Sequence, residues 1–296
     1  MSQLAVIVPA VNTLADLVGC LAALKRERES AALEVLVVNR LGDASSAAIR
    51  TEAPWVRILP VPASMAIPQM RALAFREAKS EAVAVIEDHV IVPPGWAKRL
   101  LDDLAQGRTV VGGAVENAAT GTLLDWAAFL CEYSHCLPPL PAGEAAWLTG
   151  NNVVYRREAV AKHLALLDAG QWENALHDAL RADGVPLWCD PDLVALHKKH
   201  YTFGEYFTQR YLYARSYAGA RVAGASAAKK LAMGVAAFAL PPLLFARTVR
   251  RILAKGAHTE KLWPSLPLIA LFVLAWGWGE VVGYWFGAGD SLAKVK

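Results

Sequence analysis

Ala82-Val83-Ala84-Val85-Ile86-Glu87-Asp88-His89 decides the reading of this chain. Five apolar residues without alternation suit a strand buried on both faces, as in a parallel sheet. The run ends abruptly in two carboxylates and an imidazole. Upstream, Leu4 to Val8 is a second such run, stopped by Pro9. Asn12 or Thr13 then caps a helix whose Leu14, Leu17, Leu21 and Leu24 face inward. Glu34 to Val38 predicts another strand, and Arg57 to Val61 a short extended run between Pro54 and Pro60. Gln69 to Lys79 reads as a helix. Downstream, Pro93-Pro94 opens a helix through Leu104. Strands and helices alternating in this way predict an α/β domain with a mostly parallel sheet flanked by helices. Ligands of such sheets sit at the carboxyl ends of strands, where the acidic triplet lies.

The next hundred residues are less regular. Thr109 to Val115 is a strand with a Gly112-Gly113 break, and Leu137 to Pro141 a loop. Gly150-Asn151-Asn152 precedes a strand, with a helix from Arg157. Gln171 to Asp183 is a helix closed by Gly184. Pro186 to Leu196 is extended and leads to His197.

Composition bounds the rest. The chain has 296 residues, 55% of them hydrophobic and 19% charged, more apolar than an ordinary soluble domain. The excess lies after Lys230. A net charge of +3, without a basic stripe of interleaved aromatics, excludes a nucleic-acid partner. The basic residues that do cluster lie beside the apolar C-terminal runs and suit anionic lipid head groups. Cys20, Cys131, Cys136 and Cys189 form no CxxC pair and read as buried, reduced thiols. The apolar stretch from Leu4 to Val11 lacks a preceding positive charge and is too short for a signal peptide, so the bulk of the chain is expected in the cytoplasm.

Glu87-Asp88-His89 could hold a divalent cation. Oxygen ligands suit Mg²⁺, and the imidazole tilts the choice toward Mn²⁺. Strands also often end in polar residues, and on the triplet alone a solvated turn is the better reading.

The context of the triplet changes that. Val6-Ile7-Val8-Pro9-Ala10-Val11-Asn12, the strand Glu34 to Asn39, Met70-Arg71-Ala72-Leu73-Ala74, and Glu87-Asp88-His89 follow one another in order. Thr149-Gly150-Asn151-Asn152 with Tyr155-Arg156-Arg157-Glu158 comes next. Trp172-Glu173 with Leu180 and Gly184, then Pro191 to His197, complete the series. From Leu4 to about Arg221 this succession resembles the family 2 glycosyltransferases of GT-A fold, of the membrane-associated bacterial type. The resemblance implies an inverting, metal-dependent transfer of a sugar from a nucleotide-sugar donor. It places Glu87, Asp88, His89 and His197 as metal ligands and Glu173 as the general base, with Asp178 the other carboxylate in reach. It places Pro9, Asn12, Asn39, Arg71, Asp88, Gly150, Asn151, Asn152 and Arg210 around the nucleotide-sugar. The sequence departs from the family pattern where Asn39 stands for an acid, Ala72 and Ala74 for Asn and Gly, and Glu87 and His89 for Asp. Gln209-Arg210-Tyr211 lacks the spacing of processive synthases, which favours transfer of a single sugar.

Two apolar runs follow. Leu231 to Ala246 is short for a span and contains Pro241-Pro242; Leu262 to Ala288 is long enough and carries Glu280. Between them lie Arg247, Arg250, Arg251, Lys255 and Lys261, which favour a first segment that re-enters or lies in the interface. The expected organisation is a GT-A nucleotide-diphospho-sugar transferase domain over residues 1–221 and a membrane-associated helical hairpin, or a re-entrant plus transmembrane segment, over 222–296. The acceptor is then a lipid or lipid-linked sugar at the inner membrane, with the catalytic domain cytoplasmic. Two other readings stand beside this one. A nucleotidyltransferase would need a glycine-rich phosphate loop, which Pro9 to Asn12 is not. A membrane-anchored sugar-nucleotide-binding protein with a degenerate, non-catalytic site would bind donor without transferring it.

Overall fold

The computed structural model describes residues 3–296. They form two compact units, one of residues up to 118 with 136–198, the other of 119–135 with 199–296. The helix Phe203–Arg221 thus goes with the second unit, whereas the boundary expected from sequence fell after it.

The first unit is built on a nine-stranded sheet. Its strands are β1 (Leu4–Ala10), β2 (Leu33–Asn39), β3 (Arg57–Pro60), β4 (Ala82–Ile86), β5 (Val90–Ile91), β6 (Val110–Asn117), β7 (Gly143–Ala145), β8 (Asn152–Arg156) and β9 (Leu187–His197). Their order is β3-β2-β1-β4-β8-β6-β9-β5, with β7 on β9. β1, β2, β3 and β4 pair in parallel. β8 runs antiparallel between β4 and β6, and β6 returns to parallel pairing with β9. This is the mixed α/β sheet the apolar runs predict. Every residue of β1 and of β4 is buried, as sheet covered on both faces requires.

Two features of this unit place the site. The chain leaves β1 toward β2 and β3 and returns to pair β4 on the other side of β1. The carboxyl ends of β1 and β4 therefore flank a switch point, where a crevice opens. The second feature is the β6–β9 pairing, whose register shifts between Gly113 and Ala114. A Cβ on Gly113 would lie 1.9 Å from the Leu193 carbonyl oxygen, so only glycine admits this approach.

Local signals set the helices. Thr13, not Asn12, caps helix Leu14–Glu27, its hydroxyl accepting from the Asp16 amide at 3.1 Å. Helix Trp96–Ala105 begins two residues after Pro94 and has no side-chain cap of its own. The buried Glu27 carboxylate serves instead, accepting from Gly95 and Ala97 amides at 2.9 and 2.8 Å.

The second unit is helical. Helix Leu123–Tyr133, not expected from the sequence, packs on helix Phe203–Arg221, the Tyr206 hydroxyl donating to the Ala128 carbonyl at 2.8 Å. The two apolar runs become helices over Ala227–Lys255, 29 residues with a 3₁₀ turn at Ala237–Ala239, and Thr259–Phe286, 28 residues. Pro241 and Pro242 occupy the first turn of helix Leu240–Lys255, directly after the 3₁₀ turn, where their missing N–H groups end the α-helical ladder of the preceding segment without ending the span. Both spans are long and apolar enough to cross a membrane. Gly279 and Gly283 bring helix Thr259–Phe286 onto helix Phe203–Arg221, since a Cβ at either would meet a backbone oxygen within 2.6 Å. Glu280 is buried there, with the Arg221 guanidinium at 2.9 Å and the Trp276 indole N–H at 3.0 Å.

Candidate active site

The carboxyl end of β4 splits its acidic triplet between two jobs. Glu87 and His89 turn one way and meet His197, the last residue of β9. The His89 Nε2 lies 3.3 Å from Glu87 Oε2 and 2.9 Å from His197 Nε2. The imidazoles stand edge to face at 88°. One carboxylate oxygen and two ring nitrogens thus lie within 4.8 Å of one another, as ligands of one ion do. Val90 pairs with His197 across β5 and β9, which fixes the distance between the two histidines.

Asp88 turns the other way. Sequence reading put it among the metal ligands and donor contacts, but its carboxylate is fully buried. Oδ2 accepts from the Val11 and Asn12 amides at 2.7 and 2.8 Å, and Oδ1 from Asn12 Nδ2 at 2.7 Å. Oδ1 also lies 3.0 Å from His89 Nδ1. Asp88 therefore ties the β1 and β4 ends together and orients His89, leaving Nε2 to face Glu87 and His197.

The electrostatics fit a cation. Burial opposes charge on Glu87, yet His89, His197 and Arg71 outweigh it and hold the carboxyl well below its usual range. For Asp88 the same contest ends in the same direction, through His89 and Asn12. Burial pulls His89 down, while Asp88 and Glu87 carry its pKa up to about 9. The Glu87 carboxylate is ionised, and a first-row divalent ion binding there would displace the proton held on His89, so that both imidazoles could act as donors. The residues fit the metal that the sequence implied, with Asp88 outside the ligand set.

Gly150 and Asn151 form the turn before β8. Asn151 Nδ2 donates to Glu87 Oε2 at 3.1 Å and its Oδ1 accepts from the Thr149 hydroxyl at 2.7 Å. Glu173, first residue of helix Glu173–Ala182, lies against Gly150. Its Oε2 accepts from Arg71 at 2.9 Å, with the two side chains 16% and 5% exposed. Glu173, Arg71, Gly150, Asn151 and Glu87 are thus one continuous set. Asp178, the competing carboxylate, is exposed and lies near Arg181 instead.

Four further residues expected around the donor have other surroundings in this structure. Asn39 is buried, with Nδ2 donating to Ser45 and Ser46 hydroxyls at 2.9 and 2.8 Å and Oδ1 accepting from the Leu41 amide. It shapes the turn after β2, and its polar atoms are engaged there. Asn152 is also buried, bonded to the Ala114 and Leu193 carbonyls at 2.8 and 2.9 Å and to the Trp96 indole at 3.0 Å. Pro9 lies buried inside β1, in register with Val38. Arg210 belongs to the second unit, its guanidinium over the Trp276 ring at 4.2 Å. The Val11 amide and the Thr149 hydroxyl were not anticipated. The cysteines are buried, and none forms a disulfide among the described residues.

Comparison with known proteins agrees with this fold. Residues 5–164, more than half of the chain, match the profile of Glycosyl transferase family 2. The mannosyltransferase PcManGT from Pyrobaculum calidifontis, solved in complex with GDP-Man and Mn²⁺, superposes with a TM-score of 0.53 at 16% identity. That match covers 96% of this chain and 74% of the mannosyltransferase, and it shows the fold. TarS 1–349 from S. aureus gives 0.49 at 12% identity, over 70% of this chain and 63% of that one. No curated protein sequence matches. With its GT-A sheet and its family match over β1 to β8, the chain belongs to glycosyl transferase family 2 and is a nucleotide-sugar-dependent glycosyltransferase.

Proposed function

We propose that this glycosyltransferase moves a single sugar, with inversion, to a lipid or lipid-linked acceptor at the cytoplasmic face of the inner membrane. The convergence of Glu87, His89 and His197 on one point carries the reading. A divalent cation held there by Glu87, His89 and His197 would supply positive charge to stabilise the departing nucleotide diphosphate. Two imidazoles beside one carboxylate favour Mn²⁺ over Mg²⁺. A protein of the same fold solved with GDP-Man and Mn²⁺ supports that choice. Asn12, Arg71, Gly150 and Asn151 surround the donor.

Glu173 is the general base. It takes the acceptor hydroxyl's proton as that oxygen bonds the anomeric carbon and the bond to the diphosphate breaks. Arg71 and Gly150 fix where its carboxylate sits, and position matters to such a base as much as basicity. The lipid nature of the acceptor is supported by the second unit, whose two long apolar helices expose Leu231, Val235, Phe238, Leu243, Leu274 and Trp278.

Glu173→Gln tests this mechanism. It should retain Mn²⁺-dependent thermal stabilisation by the nucleotide while transfer falls at least about a hundredfold. Undiminished transfer would remove Glu173 from the reaction, and absence of any nucleotide stabilisation would contradict the donor class.

A further inference from the structure

Helix Thr259–Phe286 is long enough to cross a bilayer, but a polar helix runs beside it. Helix Phe203–Arg221 lies parallel to it, with contacts from Phe272 to Gly287. Tyr206 meets the Phe272 ring, Arg210 lies over Trp276 at 4.2 Å, and Arg215 Nε donates to the Gly287 carbonyl at 3.2 Å. This companion carries Glu205, Arg210, Arg215 and Arg221. The segment after Phe286 then turns back along it. Gln209 Oε1 accepts from the Lys296 amide at 2.9 Å, and Gln209 Nε2 donates to the Lys294 carbonyl at 3.5 Å. Gln209 precedes Arg210, the partner of Trp276, so Lys294 and Lys296 return to the middle of the long helix. A bilayer surrounding that helix from end to end would take in all these charges. Hydrocarbon tolerates them only when they face a bundle interior or a water-filled cavity. Glu205, Arg221 and Lys294 are exposed instead.

The first long helix falls short for another reason. Between Lys230 and Arg247 its apolar stretch rises ~25 Å, against a hydrocarbon core of about 30 Å.

What the two helices expose is one-sided. Leu271, Leu274 and Trp278 recur at spacings of three and four and form one stripe. It is turned away from Phe272, Trp276, Gly279 and Gly283, which face the polar companion. Leu231, Val235 and Phe238 form a second stripe at the same spacings. The helices that carry the stripes pack antiparallel, Gly234 against the Trp285 indole and Gly277 against Pro241. Cations flank the second stripe, Lys229 and Lys230 before it, Arg247 and Arg250 beyond Leu243. They complement anionic head groups. Leucine, phenylalanine and tryptophan on one face, with lysine and arginine at its edges, is the pattern of a helix lying in the membrane interface.

We propose that the second unit is monotopic: both long helices lie along one leaflet, sink Leu231, Val235, Phe238, Leu271, Leu274 and Trp278 into it, and cross nothing. The proposal rests on the membrane-associated reading of this unit. It requires the acceptor to present its reacting oxygen in that same leaflet.

Single cysteines at exposed positions report the topology, because the four native cysteines are buried. Glu29→Cys marks the first unit, Ala254→Cys the end of the first long helix and Lys294→Cys the segment after the second. Each full-length variant is treated with a membrane-impermeant maleimide in spheroplasts and in inverted membrane vesicles. All three should react alike, protected in spheroplasts and labelled in inverted vesicles. Labelling of Ala254→Cys or Lys294→Cys in spheroplasts, with Glu29→Cys protected there, shows a crossing helix and overturns the proposal. The double variant Leu271→Lys/Leu274→Lys tests the stripe. Partition of the full-length protein into phosphatidylglycerol vesicles should weaken roughly a hundredfold, at about tenfold for each leucine lost from lipid. Glu29→Cys should change it less than twofold. Unchanged partition by the double variant overturns the proposal. A wild-type chain that neither sediments with membranes nor floats with vesicles contradicts the membrane reading itself, a failure distinct from a crossing helix.

Discussion

A Cβ on Gly150 would lie 2.5 Å from the Glu173 carboxylate carbon, so the smallest substitution there displaces the proposed base. Gly150→Ala is expected to lower kcat about a hundredfold, the scale of an ångström-sized misplacement, with little change in nucleotide affinity. Steady-state kinetics beside a nucleotide titration separates the two. His177 gives a different kind of expectation. It is fully buried, faces the Tyr155 hydroxyl at 2.8 Å, and burial followed by the Arg71 charge lowers its pKa to about 4. The folded ring stays neutral while the unfolded chain takes up a proton near pH 6.5. Its contribution is therefore complete above about pH 6.5 and is lost as pH falls toward 4, by on the order of 3 kcal/mol. His177→Gln should flatten that part of the stability profile, as followed by denaturant unfolding between pH 4 and 7.

At the scale of elements, the strands that carry the site were legible because a strand buried on both faces writes an unbroken apolar run. β1, β2 and β4 announce themselves in this way. What the runs do not show is where a polar residue at a strand end points. Asn151 and Asn152 look equivalent in sequence, yet one reaches Glu87 and the other spans β6, β9 and helix Trp96–Ala105. For the triplet a usable signal was present. That signal is the order of the motifs and not strand alternation, because Asp88 and His89 lie in a turn closed by the Val90 amide on the Glu87 carbonyl. The partners of Asp88 in the β1 loop lie 76 and 77 residues away, a pairing that no local pattern encodes. Asn152 shows the energetic weight of such inward groups. Asn152→Leu would leave two carbonyls and an indole N–H without their partner. The expected loss is about 3 kcal/mol or more, read as a lower denaturant midpoint.

Across the whole molecule, the apolar excess after Lys230 becomes two long helices, and the first, expected to be short for a span, extends over 29 residues. Their charges were less legible, because Glu280 finds Arg221 and Trp276 only through helix packing. In the first unit, the proposed sugar transfer depends on one cation that Glu87, His89 and His197 would hold. Electron spin-echo spectroscopy of Mn²⁺ bound to the full-length protein addresses this directly. The site described here predicts one tight Mn²⁺ with nitrogen coupling from two imidazoles, reduced to one in His197→Ala and unaffected by His200→Ala. Mn²⁺ bound without nitrogen coupling, or coupling unchanged in both His89→Ala and His197→Ala, would contradict it.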